Sequence, residues 1–426
     1  MGYRLLALLW LICLTWVYGT DVELDKYFQG KFNTVMKSER EALLQDMGFS
    51  GRRLIVVKSD RSALRYAVNS NPPLGYTCSF LGWQVTEMVF SFNSKGLLTE
   101  LRLSMYNRGD CGNWEFTRFR KLVRELREGL TKLSRVNERE ASSRELNGVS
   151  INERSWVGRG GTDAVLRWSG KGENLEYVTV ILVPHGKAGT GSLTKELKTV
   201  TDLRDLPRRV KREKDGTRWL DIPMEDQGNK GYCMAATFAR ILKYYRAKVD
   251  MHVIAQLLDT DPSKGTNYRS GIEAMLQNKK RFDVNVKELF KDDKLDTQEG
   301  TRHYLEIYNR LARKRKKPVI REEAIFGTGK WPITVFYEMS DKKLFTQCRN
   351  TDPTAAKKLM SIVKSHIDRG IPLMWLIPGH ARLINGYKGS GTIVYSDSWG
   401  AGHERKTMSI QEALALTYEV YAVTPM

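Results

Sequence analysis

Two spacings of apolar residues organise this chain. From Gln84 to Phe92 and again from Leu97 to Met105, apolar and polar positions alternate, and Asn93-Ser94-Lys95-Gly96 separates the two runs. Alternation predicts strands, and the short break rich in Asn and Gly predicts a β-hairpin. Phe116, Phe119, Leu122, Val123, Leu126 and Leu130 then recur every three or four residues, the spacing of one helix face. A second strand pair, Ala164 to Trp168 and Tyr177 to Val183, flanks the turn-rich Ser169-Gly170-Lys171-Gly172. These elements predict an α+β domain over residues 20–198, in which no catalytic constellation stands out.

Periodicity is lost from about Thr199 to Arg218, where Asp205-Leu206-Pro207-Arg208-Arg209 and Lys211-Arg212-Glu213-Lys214-Asp215-Gly216 are dense in charge. That composition predicts a basic linker over 199–218, open to a trypsin-like protease. A second domain is expected over 219–426. It opens with an amphipathic helix from Cys233 to Tyr245 and continues through a largely helical middle. There Tyr304, Ile307, Tyr308 and Leu311 lead to Arg313-Lys314-Arg315-Lys316-Lys317, an exposed helix end. After a helix from Ala355 to Ile367 the pattern turns to strands at Ile371 to Ile377, Ala381 to Tyr387, Thr392 to Ser396 and Tyr418 to Val423. A helix first and a sheet afterwards is an α+β order.

The first residues change the picture of where the chain works. Arg4, the apolar run Leu5 to Val17 and Val17-Tyr18-Gly19 form a signal-peptide pattern, so residues 1–19 are expected to be removed and the protein exported, periplasmic or secreted. The run is short for a membrane anchor, and no later stretch reaches the roughly 18 apolar residues of a span. The 426 residues, 41% apolar and 28% charged, have globular composition with room for two domains. A net charge of +20 raises the question of nucleic acid. The basic residues are spread along the whole chain and carry no zinc-finger, RNA-binding or helix-turn-helix signature, so no nucleic-acid partner is expected; attraction to acidic envelope polymers is the lesser reading. In an oxidising compartment Cys78 and Cys111 are candidates for one disulfide, with two buried free thiols as the alternative, and Cys348 has no partner in view. His185, His252, His303, His366 and His403 lack the spacing of a metal site, so neither metal nor cofactor is expected. Arg108-Gly109-Asp110 and Gly327-Thr328-Gly329-Lys330 imitate an adhesion tripeptide and a phosphate loop but read as turns.

The chemistry concentrates in three later segments. In Asp226-Gln227-Gly228-Asn229-Lys230-Gly231-Tyr232-Cys233-Met234-Ala235-Ala236, Cys233 falls where the apolar helix begins, beside unpaired N–H groups and the positive end of the dipole. That position favours the thiolate, the attacking form. Pro378-Gly379-His380-Ala381-Arg382 sets a His at the mouth of a strand. Ser396-Asp397-Ser398-Trp399-Gly400 sets a carboxylate at the end of the next strand, within reach across a hairpin.

These segments resemble the papain-like cysteine peptidases, in which Gln, Cys, His and Asn or Asp occur in that order. Gln227 precedes Cys233 by six residues, Gly379-His380-Ala381 to Gly386-Tyr387 looks like the histidine strand, and Asp397-Ser398-Trp399-Gly400 looks like the Asn-Ser-Trp-Gly segment. The Met234-Ala235-Ala236 after the Cys, and Asp as third member, are closer to the bacteriocin-leader, double-glycine type; no transporter or nucleotide-binding segments follow. The resemblance covers about residues 219–426. It implies a papain-like fold, Cys233 as nucleophile, His380 as base, Asp397 as its orienting group, Gln227 in the oxyanion hole and a peptide or protein substrate; Trp399 either shields the His–Asp contact from water or packs as an ordinary core residue. Acyl transfer of the transglutaminase-like kind on the same triad, and a noncatalytic binding module, are the alternatives.

Overall fold

A computed structural model describes residues 21–426 apart from 147–148, 159–160, 172–173, 189–198, 200, 248, 262–263, 293, 295–296, 329–331 and 350–352. The signal-peptide pattern, Gly172 of the second turn and Gly329-Lys330 lie outside the described residues. Mixed helices and mainly antiparallel sheets make this an α+β protein. The chain forms two compact units. The first holds the residues up to Lys195 together with Asp226–Tyr232 and Ala255–Gly265; the second holds Glu196–Glu225, Cys233–Ile254 and Thr266–Met426.

In the first unit the strands are β1 (Val22–Glu23), β2 (Ile55–Val56), β3 (Ala63–Ala67), β4 (Cys78–Phe80), β5 (Trp83–Gln84), β6 (Glu87–Phe92), β7 (Leu98–Asn107), β8 (Arg139–Leu146), β9 (Val149–Val157), β10 (Thr162–Lys171) and β11 (Asn174–Pro184). Eight of them form one antiparallel sheet in the order β2-β3-β6-β7-β11-β10-β9-β8, and β1, β4 and β5 form a small second one. The expected hairpin is β6–β7. Met88, Phe90 and Phe92 turn inward, and in the connection Asn93 Oδ1 accepts from the N–H groups of Lys95 and Leu97 (2.9 and 3.0 Å). The helix Phe116–Ser134 lays Phe119, Leu122, Val123, Leu126 and Leu130 on the sheet core, as their spacing predicts.

One expectation for this unit fails, the disulfide. Cys78 and Cys111 are free thiols. Cys78 lies in β4, where burial pushes its pKa up to about 12 and Tyr66 is its hydrogen-bonding neighbour; Cys111 closes the one-turn helix Arg108–Cys111. Arg108-Gly109-Asp110 makes up most of that single turn, in keeping with its reading as a turn. Asn107 caps that turn by accepting from the N–H of Asp110 (2.8 Å), and the Asp110 carboxylate enters a buried ionic cluster.

Lys230, whose side chain is 1% exposed, donates to Glu87 Oε2 (2.8 Å) and pairs with Asp110 Oδ2 (3.1 Å). Arg65 pairs with Glu87 (3.2 Å) and with Asp226 (3.0 Å). Asp226 in turn accepts from the N–H of Gly228 (2.9 Å), and Asn229 donates to the Asn69 carbonyl (2.6 Å). Gly228 is required there: its φ is +63°, and a Cβ would sit 2.5 Å from an Arg65 nitrogen. The Asp226–Tyr232 segment is therefore held to the first unit's sheet by charge, since a buried ion is tolerated only when paired.

The second unit contains β12 (Val210–Arg212), β13 (Thr217–Leu220), β14 (Val284–Lys291), β15 (Leu373–Ile377), β16 (His380–Lys388), β17 (Thr392–Ser396), β18 (Lys406–Ser409) and β19 (Glu419–Pro425). The sheet order is β12-β13-β16-β15-β19-β14, and β17 pairs with β16 and β18. The segment read as a basic linker is thus structured: a 3-10 turn, Leu203–Arg209, leads into the hairpin β12–β13, and β13 pairs with β16. Leu206, Val210 and Leu220 are its buried anchors. Its charges are outward-facing and paired, Lys211 with Asp221 (2.9 Å) and Asp215 with Lys388 (2.8 Å), a usual composition for an edge strand. The helical middle also contributes β14, which pairs with β19, so the sheet draws on segments before and between the helices rather than only after them. Among the described residues no helix is long and apolar enough to cross a membrane.

Candidate active site

Within the second unit the helix Cys233–Tyr244 is buried nearly all round, with Met234, Ala235, Ala236, Phe238, Ala239, Ile241 and Leu242 against the surrounding core. Thr237, one turn along, donates to the carbonyl of Ala381 in β16 (3.3 Å), which ties the first turns of this helix to the strand that begins at His380. The β16–β17 register pairs Leu383 with Ser396. His380 therefore stands at the start of one strand and Asp397 just past the end of its neighbour, as the hairpin geometry requires.

His380 Nε2 lies 3.0 Å from Asp397 Oδ1. Its other ring nitrogen, Nδ1, is left for the thiol, and Cys233 and His380 are hydrogen-bonded. Burial opposes ionisation of Cys233, but the hydrogen bond and charge of His380, with backbone hydrogen bonds of Ala381 and Met234, bring its pKa below the ordinary thiol value. For His380 burial acts downward, while the hydrogen bonds with Asp397 and Cys233 outweigh it and raise the pKa to about 8. Opposite shifts in a bonded pair favour a thiolate beside an imidazolium. The other thiols behave differently: burial pushes Cys348 up to about 12 and also raises Cys111.

Asp397 is almost fully buried and held from three sides. Arg382 Nε donates to the same Oδ1 (2.7 Å), Arg240 Nη1 donates to the Asp397 carbonyl (2.9 Å), and the Asp397 N–H donates to the His403 carbonyl (3.0 Å). Burial raises the carboxyl pKa, and the His380 hydrogen bond together with the Arg382 charge more than reverses this, leaving it below the usual carboxylate range. Among the described residues Oδ2 has no hydrogen-bond partner; His403 Nδ1 stands 3.9 Å away. Trp399, 44% exposed, lies parallel to the His380 ring with centroids 4.7 Å apart and meets His403 edge-on.

The structure thus brings together Cys233, His380, Asp397 and Trp399. Gln227 belongs to the first unit, where its Nε2 donates to the Lys230 carbonyl (3.1 Å). Sequence reasoning missed four residues. Arg240 was signalled by standing inside an apolar helix face, seven residues after Cys233, and Arg382 by sharing a strand face with His380 at a spacing of two. His403 and Tyr268 gave no signal. Tyr268, whose hydroxyl donates to the Ile377 carbonyl (2.8 Å), is pushed well up by burial and by the charge of Cys233. Among the described residues no three His, Cys, Asp or Glu side chains gather as a metal site. No protein-family model, curated protein or solved structure matches the chain.

Proposed function

We propose that this chain is an exported, thiol-dependent peptidase of papain-like architecture, working through Cys233, His380 and Asp397. The observation that carries the reading is the continuous bonding from the Cys233 thiol through His380 to Asp397, with the thiol pKa lowered and the imidazole pKa raised. The thiolate attacks a peptide carbonyl, and the His380 imidazolium gives its proton to the departing amine. Water, deprotonated by the now neutral imidazole, then attacks the thioester, which releases the acyl group as a carboxyl product and restores the thiolate beside the imidazolium. Asp397 holds the ring so that Nδ1 faces sulfur, and it stabilises the imidazolium that stands beside the thiolate before attack and forms again as water is deprotonated. Oxyanion donors in this reading are the Cys233 N–H and the Gln227 amide, the latter assigned from its place six residues ahead of the nucleophile. Trp399, stacked on His380, limits the access of water to that ring.

The test is intact-mass labelling of the folded chain with a peptide carrying a thiol-directed reactive group, followed by mapping and by product analysis on a peptide library. One adduct at Cys233 and new peptide termini are expected; new amide products in the presence of an added amine would mark transfer instead. Adducts on Cys111 or Cys348 with Cys233 unmodified would sink the reading.

A further inference from the structure

A surface of another kind lies in the first unit. The helix Phe116–Ser134 and strand β10 flank an open cleft of about 560 Å³, lined by Phe116 and Trp168 and by Arg120, Lys121, Arg124 and Arg127. No carboxylate is among the described residues that line it. Phe116 is 43% exposed, although Phe119, Leu122, Val123, Leu126 and Leu130 of that helix are buried. The Arg120 guanidinium stands over its ring, 5.7 Å from the centroid. Lys121 and Arg124 reach Glu125 only at 3.9 and 3.8 Å, and exposed pairs of that length neutralise little charge. Arg127 is the exception, bound to Glu138.

A second cleft of about 570 Å³ shares Arg124 and Arg127 and continues along the helix to Lys132, past Glu128 and Glu138. From Phe116 to Lys132 a helix advances about 24 Å, the length of roughly seven residues of extended polypeptide. The groove therefore has one end that is cationic and aromatic and another where carboxylates intervene.

We propose that this groove binds an extended acidic peptide segment, whose carboxylates meet Arg120, Lys121 and Arg124 and whose apolar side chains cover Phe116 and Trp168. Guanidinium groups suit carboxylates because they donate two parallel hydrogen bonds, and an exposed aromatic gains by being covered. Single-stranded nucleic acid fits less well. It carries a charge on every nucleotide, so a strand filling the groove would bring phosphates against Glu128 and Glu138, whereas a peptide places its charges only where cations stand.

The experiment is fluorescence anisotropy on the full chain with Cys233 alkylated, so that the outcome does not depend on whether that thiol is a nucleophile. The probes are a fluorescein-labelled heptapeptide with Glu and Phe alternating over its first four positions and uncharged Ser and Gly over its last three, its analogue with Gln for each Glu, and a labelled seven-nucleotide thymidine strand. The Glu–Phe probe is expected to bind, at least tenfold more tightly than the Gln–Phe probe, with affinity falling as salt rises. Arg120→Gln with Arg124→Gln should weaken it about tenfold or more, and Phe116→Ala severalfold. These side chains are exposed, so thermal melting should be unchanged, and Arg310→Gln in the second unit should leave binding as it was. Failure of the Glu–Phe probe to bind, or binding indifferent to all three substitutions, would overturn the proposal. So would tighter binding of the thymidine strand that is lost in the same variants, which would make the groove a polyanion site.

Discussion

The Lys230 cluster of the first unit and the Asp397 cluster of the second both bury carboxylates against cations, and they differ in the sign of what is left over. Around Lys230 three carboxylates, Glu87, Asp110 and Asp226, share two cations, Arg65 and Lys230. Around Asp397 one carboxylate meets Arg382 and His380 and has Arg240 on its carbonyl, with Glu225 and Glu404 acting on Arg240 from farther off. Each cluster has a partly exposed cysteine beside it. Burial raises Cys111, and with the charge of Asp110 it outweighs the Asn107 backbone hydrogen bond and the charges of Arg118 and Lys230, which act downward, whereas the imidazole lowers Cys233 against its own burial. Similar materials thus make an inert anchor in one place and an activated thiol in the other, because a thiolate is favoured where positive charge is in excess.

The largest expected effect comes from dismantling the second cluster. Cys233→Ala and His380→Ala should each lower kcat/KM on a peptide substrate by on the order of 10⁴-fold or more, and Asp397→Ala by roughly two orders of magnitude less. Asp397→Asn should keep more activity than Asp397→Ala, since an amide oxygen still accepts from the ring. An Asp397→Ala variant that is folded and fully active would remove Asp397 from the triad.

Next is the anchor. Lys230→Met leaves Glu87 and Asp110 buried and short of a cation, which should cost about 3–5 kcal/mol in chemical denaturation. Adding Asp110→Asn should recover part of that loss; a double variant no more stable than the single would show that the pairing is not what holds the segment.

Alkylation sharpens the contrast between the thiols. At neutral pH iodoacetamide should modify Cys233 at least tenfold faster than Cys111, because each unit of pKa is about a tenfold change in thiolate fraction. Parallel pH profiles for the two would count against the difference drawn above.

The smallest effect tests the cation itself. With Arg382→Gln, the thiol and the imidazole each lose a nearby positive charge, so both hold their protons to higher pH. The acid limb of the kcat/KM profile and the alkaline limb, expected near the His380 value of about 8, should both move up by about one unit or less. Tyr268, which feels the charge of Cys233, and Arg240 and His403 about Asp397 are unchanged in that variant. Lower activity with unmoved limbs would give Arg382 a structural role only.

Much of this was readable in the sequence where hydrophobic pattern decides structure. The β6–β7 hairpin, the Phe116–Ser134 helix and the strands that begin at His380 and end just before Asp397 follow from apolar spacing and turn residues. The reading failed where charge takes over that role. Hairpin β12–β13 looks like a linker because Lys211, Arg212 and Glu213 hide the buried Val210 and Leu220. Lys230, between Asn229 and Gly231, looks like a solvated loop residue, and its partners Glu87 and Asp110 are too far away in the chain for any spacing rule to find. Cys78 and Cys111 illustrate the converse: nearness in sequence suggested a bond that their separate places in β4 and after β7 do not make.

The chain's division into units also bears on inheritance. Asp226–Tyr232 and Ala255–Gly265 belong to the first unit although their neighbours on both sides belong to the second, so no single cut in the gene yields either unit whole. A recombination event that carried residues 219–426 into another protein would take Asp226 and Lys230 away from Arg65, Glu87 and Asp110, leaving unmatched charges in both offspring. The two units are therefore expected to pass between lineages as one indivisible block, rather than to appear separately in different contexts.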